Sequence, residues 1–520
     1  MAALALALLA RFGPTAADTA LPWPMVFHDS GNTGYTPDFA GPSDEGLCQQ
    51  WLVNGGELAV PTEFLSTGVL DSQSSTLLFG STNNKIWAVA DDNSPLPHFP
   101  LDMPGGNGYV AQSPALFRGP DGSDVMIVGS TSKTVAAIKP SFVAAGQLTP
   151  LWSTVPLAIQ QPLTAAPIVS PDTEVAYITV GSLTDDDAGY LVALNATTGE
   201  TLWNVPAQSQ EWTGIIHHTL TTPPALVAFT NGETAWNKLF PVISFASTVM
   251  LVNPTNGQPL AYFNGTTADP FESTPSTVTF PDQANPFVYV KTHSNTVYCL
   301  NVVNNNGKYS FQPRWICDYG DINAPLPHCM TTVAEANQRA KARALQSGAK
   351  LRSAAGRGLA GDPVTVPPLL PPVSIYPPQK NVFIPLSGEG GRYGIVKAGA
   401  VDGQVEWVFQ NETQFGVTQA NSAIAIDSNG DSYMIVTNGV LANDPAPTYS
   451  FVLGLTSAGK FKFAESLELE EPMAGHPHIV LGYDSTTTPH ASLIFASNGQ
   501  AVFSFRGVAT QCPTDFQLYP

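Results

Sequence analysis

The sequence predicts an all-β protein, an eight-bladed β-propeller whose blades are four-stranded antiparallel sheets. Three observations support this prediction: a recurring phrase, a period of about 50 residues, and a last unit that lacks one strand. The clearest copy of the phrase reads YLVALNATTGETLW at residues 190–203. Repeats of this length, each holding four short strands, are typical of propellers.

Eight copies of the phrase follow one another along the chain. Most have a small residue at the position of Ala193, which suits close packing between adjacent sheets. One interval is about twice the others and holds an insertion. The aligned positions are Ala88, Ala137, Ala193, Leu251, Cys299, Lys397, Leu453 and Ser504.

The sequence of each unit predicts four strands in the same order. A strand introduced by Pro or small residues, such as SPALF (113–117), is followed by a turn and by a second strand, such as VMIVGS (125–130). The phrase itself is the third strand. A turn with Gly, which supplies a positive φ, leads to a fourth strand. That strand ends near an aromatic residue, as at Trp152, Trp203, Trp315 and Trp407.

The last unit, from His478 to Phe505, supplies only three strands. An aromatic-bearing phrase that fits the missing fourth strand, CQQWLV (48–53), lies near the amino end. The N-terminal strand is therefore predicted to complete the last blade and close the ring, since closure protects sheet edges. We call the pairing of this N-terminal strand with the last blade the seam of the ring. Cys48 and Cys512 would then lie near the seam, where a disulfide is expected.

The phrase resembles the pyrroloquinoline-quinone (PQQ) repeat, with Asn195 where that family usually has Asp. The resemblance covers nearly all of residues 23–510 outside the insertion. Its family includes quinone-dependent alcohol dehydrogenases and also non-catalytic binding or assembly propellers, so the repeat implies a scaffold and the site must supply the function. The positions that carry it are Ala193, Asn195, Thr198, Gly199, Trp203, Gly403 and Trp407.

The composition and several short motifs indicate which partners and which cellular compartment the protein has. The net charge of −20 argues against nucleic acid or an anionic membrane as a partner, and no stretch is long enough to span a membrane. Residues 1–20 resemble a secretory signal peptide, which leaves 21–520 as a single propeller domain. Sequons at Asn195, Asn264 and Asn411 agree with secretion.

Cys317 and Cys329 are expected to pair, and Cys299 is expected to be a buried free thiol.

Residues 331–372 form the insertion and hold six of the 21 basic residues. The first half favours a helix and the second half is rich in Gly and Pro, so a largely disordered surface loop is expected. A partner-docking arm or a processing site is the alternative.

Catalytic motifs are weak. A quinone-dependent dehydrogenase would need a carboxylate base and Ca²⁺ ligands, and many carry adjacent cysteines, which this sequence lacks. Asp427-x-Asn429-x-Asp431 is interpreted as a hairpin turn in preference to a cation loop. The remaining candidates are expected to be ordinary loop residues: Asp185, Asp186, Asp187, His217, His218, His476 and His478.

Three functions remain. The favoured one is a secreted binding or scaffold propeller without a cofactor, with a protein or small ligand on one face or at the channel mouth. The alternative is a PQQ- and Ca²⁺-dependent alcohol or sugar dehydrogenase with divergent site residues. A carbohydrate-active propeller would need paired carboxylates in the funnel.

Overall fold

The computed structural model is an eight-bladed β-propeller of antiparallel sheets. It describes residues 29, 32–37, 39–42, 47–54, 62–64, 67–71, 76–90, 94–104, 108–110, 113–154, 166–170, 174–180, 190–206, 228–229, 240–245, 248–266, 269, 271, 273–292, 294–320, 328–330, 332–346, 371–387, 393–410, 418–420, 422–438, 450–467, 478–484, 491–497, 499–507 and 517–518.

Strand β1 (Leu47–Asn54) belongs to the last blade, and the other strands follow in chain order. Blades 1 and 2 comprise β2 (Val69–Leu70), β3 (Thr76–Gly80), β4 (Lys85–Ala90) and β5 (Leu101–Asp102), then β6 (Ala115–Arg118), β7 (Asp124–Gly129), β8 (Val135–Ile138) and β9 (Trp152–Thr154). Blades 3 and 4 comprise β10 (Ile168–Val169), β11 (Val175–Val180), β12 (Tyr190–Asn195) and β13 (Thr201–Pro206), then β14 (Ala228–Phe229), β15 (Pro241–Phe245), β16 (Thr248–Val252) and β17 (Pro259–Asn264).

The second half of the ring contains the longer strands. Blades 5 and 6 comprise β18 (Ser276–Val278), β19 (Phe287–Lys291), β20 (Thr296–Asn305), β21 (Lys308–Asp318) and β22 (His328–Met330), then β23 (Ser374–Tyr376), β24 (Asn381–Ser387), β25 (Tyr393–Gly399) and β26 (Val405–Phe409). Blades 7 and 8 comprise β27 (Thr418–Ala420), β28 (Ala425–Ile426), β29 (Ser432–Asn438), β30 (Ser450–Leu455) and β31 (Phe461–Ser466), then β32 (Val480–Asp484), β33 (Ala491–Ser497), β34 (Ala501–Gly507) and β35 (Gln517–Leu518). The helices are α1 (Pro140–Ala144), α2 (Val333–Gln346) and a 3₁₀ turn at Pro377–Gln379.

The ring closes as the sequence predicts. Strand β1 pairs antiparallel with β34, from Leu47 opposite Gly507 to Asn54 opposite Ala501. The C-terminal strand β35 adds to the other edge of β1 in parallel. Both ends of the chain thus contribute to blade 8. Cys48 is disulfide-bonded, whereas Cys512 lies outside the described residues and its pairing with Cys48 stays a prediction.

The aligned phrase is the third strand in every blade. The alignment of Lys397 with Ala193, which was the least regular copy of the phrase, is confirmed by the strand pairing. Ala193 lies opposite Trp203 of the fourth strand. Lys397 lies opposite Trp407 in the same way, and the pairing slips by one residue just after each of them. Lys397 therefore occupies a position that suits a small residue.

One aligned position is wrong by a residue. In blade 7 the residue opposite the fourth-strand aromatic, Phe463, is Gly454 and not Leu453. The reason is a shorter turn, which is closed by Thr456 and Lys460, whereas Asn195 and Glu200 close the turn of blade 3. Gly454 restores the small residue, since a Cβ there would lie 2.7 Å from the Phe463 ring.

Neighbouring blades are joined by a Trp of the fourth strand and a Gly of the next blade. The Trp203 Nε1 donates to the Pro254 carbonyl at 2.9 Å, and a Cβ on Gly257 would lie 2.6 Å from the Trp203 ring. Gly257 also has a φ of 73°. The ring therefore lies directly on the turn, which explains the Gly and Trp of the repeat. The same contact joins Trp152 to Gly199, Trp315 to Gly403 and Trp407 to Gly459.

We expect Gly257→Ala to lower the free energy of unfolding by about 2–3 kcal/mol, since left-handed backbone costs an L-residue about 1–2 kcal/mol and the Trp203 ring must also shift. Gly122→Ala is the matched control, because Gly122 has a φ of 76° with nothing within 4 Å of the added Cβ. Urea unfolding followed by far-UV circular dichroism compares the two. Equal losses would show that the contact with Trp203 does not constrain the turn.

Helix α2 begins the insertion and is docked on blade 5. Ala336 is buried against Phe311 and Met330, and the Arg339 Nε donates to the buried Asp318 carboxylate at 2.8 Å. The helix expected in the first half of the insertion is present. A small Ala face and a buried acidic partner explain the docking. Residues 347–370 lie outside the described residues.

The hydrophobic core lies between adjacent sheets. Cys299 and Tyr289 of blade 5 pack with Ile384 and Val396 of blade 6 in one cluster, and similar clusters join the other blades. Among the residues that the structure describes, no helix has the length and hydropathy needed to cross a bilayer.

Candidate functional site: the central channel and its mouth

The two ends of the ring differ in how the strands are joined. At one end, called here the turn face, third and fourth strands are linked by tight turns at 196–200, 253–258 and 456–460. At the other end, called the connection face, the fourth strands end and the chain passes to the next blade. The sequence intervals between one blade and the next include 155–167 and 207–227, most of which lie outside the described residues. Additional chain in a repeat protein usually collects on the binding side, so the connection face is the candidate functional face.

An N-terminal segment, residues 32–36, lies along the inner strands of the ring. The Ile375 N–H of β23 donates to the Thr33 carbonyl at 2.8 Å, and the Ile426 N–H of β28 donates to the Gly34 carbonyl at 2.8 Å. Tyr35 is bridged in parallel to Ile426. The segment therefore pairs with the free edges of two adjacent inner strands, which in a propeller face the channel.

The same segment reaches a third blade. The Asn32 Nδ2 donates to the Pro275 carbonyl at 3.1 Å, directly before β18 of blade 5. A Cβ on Gly34 would lie 2.5 Å from the Ile424 carbonyl, so the segment lies close to the inner strand of blade 7. The inner edges of blades 5, 6 and 7 are thus bridged by the chain itself.

Residues 39–42 continue this segment onto the turn face, where Asp427 anchors them. The Asp427 Oδ2 accepts from the Gly41 N–H at 2.7 Å and from the Tyr433 hydroxyl at 3.1 Å. The Lys462 Nζ donates to the Pro42 carbonyl at 2.8 Å and to Asp431 at 2.6 Å. Burial raises the pKa of the Asp427 carboxyl, and the nearby Asp431 charge raises it as well.

The Asp427 motif is a turn, as the sequence indicates. Its Oδ1 accepts from the backbone N–H groups of Asn429 and Asp431, both at 2.9 Å. A carboxylate that holds its own turn in this way does not present both oxygens to a cation. Among the described residues, no three His, Cys, Asp or Glu side chains converge as metal ligands.

Buried charged groups join blades to one another. The Lys291 Nζ of blade 5 donates to the Pro385 carbonyl of blade 6 at 2.7 Å. The Lys397 Nζ lies 3.1 Å from Glu406 and donates to the Ser457 carbonyl of blade 7 at 3.3 Å. Each ammonium group thus donates a hydrogen bond to a carbonyl of the next blade. Both lysines therefore help to hold neighbouring blades together.

Asp269 lies in the passage into blade 5 and was missed by sequence reasoning. Its Oδ2 accepts from the Thr292 hydroxyl at 2.7 Å, and its Oδ1 accepts from the Ser294 N–H at 3.0 Å. Burial raises the pKa of the nearby Tyr298 hydroxyl, and the Asp269 charge raises it further. Asp269 stands outside the recurring phrase, so only its position before an inner strand could have pointed to it.

The residues of the PQQ-like phrase shape the turns and pack against neighbouring blades. The Asn195 Oδ1 accepts from the N–H groups of Thr197 and Thr198, both at 2.9 Å, so it shapes the turn. Gly199 lies against the Trp152 ring of the preceding blade, and Gly403 and Trp407 make the corresponding contacts in blade 6. These residues hold the ring together on the turn face.

The cysteines and histidines are also placed in the framework. Cys317 and Cys329 form a disulfide between the paired strands β21 and β22. Cys299 is a buried free cysteine, and burial raises the pKa of its thiol. A ring nitrogen of His478 lies 2.9 Å from the Gly68 carbonyl and links blades 8 and 1. Several predicted residues lie outside the described part of the chain: Asp185, Asp186, Asp187, His217, His218, His476 and Asn411.

No protein-family model matches the sequence, and no curated protein matches it. Solved structures do resemble the fold. The quinohemoprotein alcohol dehydrogenase from Comamonas testosteroni has a TM-score of 0.60 at 12% identity, covering 98% of this chain and 83% of that one. The quinohemoprotein alcohol dehydrogenase ADHIIG from Pseudomonas putida HK5 has a TM-score of 0.58 at 13% identity, covering 96% and 83%. At these identities the likeness concerns the fold.

Proposed function

We propose that this protein is a secreted binding or scaffold propeller that holds a protein or small ligand on its connection face. The uneven distribution of connections carries the proposal. The turn face is built mainly from short turns, several of them locked by Trp–Gly contacts. The fourth strands end at the connection face, and the longer intervals of sequence between blades follow them there. Additional chain at one end of a repeat scaffold often serves recognition.

The use of buried polar groups also supports a scaffold. Lys291 and Lys397 bind carbonyl groups of neighbouring blades, and Asp427 anchors the N-terminal segment. Groups that are fully engaged in this way stabilise a unique arrangement of blades. They are less available as an acid, a base or a nucleophile.

The disulfide between Cys317 and Cys329 favours an oxidising compartment. The apolar run near the amino end and the three sequons favour the same compartment. Secretion is therefore part of the proposal.

A PQQ- and Ca²⁺-dependent dehydrogenase is the second candidate, favoured by the fold shared with two quinohemoprotein alcohol dehydrogenases. Calcium prefers six to eight oxygen ligands, many of them carboxylates. The described residues present no converging set of three acidic or His side chains, and the sequence has no adjacent cysteines. We therefore place the dehydrogenase second and derive no catalytic step through the cofactor.

Reconstitution separates the two candidates. We expect full-length protein incubated with PQQ and Ca²⁺ to leave an artificial electron acceptor unreduced in the presence of alcohols or aldoses, and its melting temperature unchanged. Protein with Ca²⁺ alone and protein with PQQ and a chelator are the controls. Reduction of the acceptor that requires both additions would replace the binding proposal with the dehydrogenase.

A further inference from the structure

We propose that Asn195 and Asn264 carry N-linked oligosaccharides, and that the Asn195 glycan stands on the turn face. The proposal rests on the proposed secretion and deepens it, because it assigns covalent modifications to the two ends of the ring. Both residues begin an Asn-x-Thr sequence, which is the acceptor signal for this modification.

Asn195 ends β12 and presents its amide nitrogen without a competing contact. Its Oδ1 accepts from the N–H groups of Thr197 and Thr198, both at 2.9 Å, and these bonds fix the side chain. Within the described residues its Nδ2 has no hydrogen-bond partner. A sugar on Nδ2 therefore leaves the turn intact. Thr197, which supplies the hydroxyl of the acceptor signal, is exposed.

Asn264 ends β17 and is exposed. Its Oδ1 accepts from the Thr248 hydroxyl at 3.1 Å. As at Asn195, this hydrogen bond is made by the amide oxygen, and the amide nitrogen is the atom to which the sugar would be attached. As the last residue of a fourth strand, Asn264 lies at the connection face, opposite to Asn195. A glycan there would stand at the edge of the candidate binding face beside blade 4.

The chain contains a natural control for Asn195. Asn253 directly follows β16 of blade 4, one blade further on, and its Oδ1 accepts from the Thr255 N–H at 2.9 Å, as Asn195 does from Thr197. The two sequences differ at the middle position, which is Ala196 in one and Pro254 in the other. Proline at that position excludes the acceptor signal. The same turn is therefore expected to be modified at Asn195 and unmodified at Asn253.

The modification is a group transfer from a lipid pyrophosphate-linked oligosaccharide. The Asn Nδ2 attacks the first sugar carbon, an N–C bond forms, and the C–O bond to the pyrophosphate breaks. The amide loses one proton to a base of the transferase, and the lipid pyrophosphate leaves. No oxidant or reductant is needed.

The test uses the full chain expressed in a secreting eukaryotic cell, followed by peptide mass spectrometry with and without peptide N-glycosidase. We expect glycosidase-dependent conversion of Asn195 and Asn264 to Asp. Thr197→Ala should abolish the conversion at Asn195, and Thr197→Ser should retain it. Pro254→Ala should create a new modified site at Asn253. That variant should fold, because the Ala196 carbonyl accepts from the Trp152 Nε1 as the Pro254 carbonyl does from Trp203.

The outcomes separate this inference from the proposed function. Secreted protein whose Asn195 and Asn264 peptides are unmodified overturns the glycan assignment and leaves the secreted scaffold in place. Protein that does not enter the secretory pathway overturns both. Modification of Pro254→Ala at Asn253 with an unmodified Asn195 would also contradict the inference, since the two turns would then differ for another reason.

Discussion

Trp51→Ala is expected to lower the free energy of unfolding by about 3–5 kcal/mol, the range for truncating a buried aromatic side chain. Trp51 is 1% exposed and packs against Phe495, with ring centroids 5.9 Å apart. It lies opposite Ser504 in the pairing of β1 with β34. The cavity would therefore open at the seam, where chain continuity does not hold the strands together.

Leu202→Ala is the control for a fourth-strand position outside the seam. Leu202 lies on β13 and is 47% exposed, so its truncation should cost less than about 1 kcal/mol. Urea unfolding followed by far-UV circular dichroism measures both variants. If Trp51→Ala cost no more than Leu202→Ala, pairing of β1 with blade 8 would not limit the stability of the ring.

The seam was predictable from sequence because two local patterns meet there. The last unit lacks a fourth strand, and the segment around Trp51 has the aromatic residue that this strand requires. The third strands were predictable for the same reason, since small residues recur where sheets approach closely. The error at Leu453 arose because a turn shorter by one residue, closed by Lys460, shifted the alignment.

The N-terminal segment could not be predicted in this way. Residues 32–36 belong to no repeat, and their partners Ile375 and Ile426 are hundreds of positions away in the sequence. Backbone hydrogen bonds of this kind depend on which strand edges remain free after the ring has formed. Sequence patterns therefore located the scaffold but did not show that the chain itself bridges the inner strands.

The candidate site was less predictable than the fold because its polar residues have structural partners. Asp269 is an acidic residue in a passage between blades, and only the hydroxyl of Thr292 and the N–H of Ser294 show what it holds. Lys397 lies at a position that suits a small residue, yet its ammonium group donates a hydrogen bond to a carbonyl of the next blade. Such partners lie in other blades, and sequence spacing alone does not reveal them.

Asp427→Asn is expected to lower the free energy of unfolding by about 2 kcal/mol and to loosen residues 39–42. The amide oxygen can still hold the turn, but an NH₂ group would replace the oxygen that accepts from Gly41 and Tyr433. An unpaired buried backbone donor costs about 1–3 kcal/mol. Hydrogen exchange should show the loss locally, as faster exchange of the Gly41 amide than in the wild type.

The dependence of this loss on pH distinguishes the buried carboxyl from a surface one. Because burial raises the pKa of Asp427 in the folded state, its contribution to stability grows as pH falls from above that raised value towards the ordinary Asp pKa of about 3.9. The advantage of the wild type over Asp427→Asn should therefore increase over that window. Asp282→Asn is the control, since the hydrogen bond from Lys380 lowers the pKa of Asp282. Its wild-type advantage should stay level across that window and shrink only below it, as pH falls towards the lowered pKa. An increase of the wild-type advantage for both variants over the same window would contradict the assignment of Asp427 as the buried anchor of the N-terminal segment.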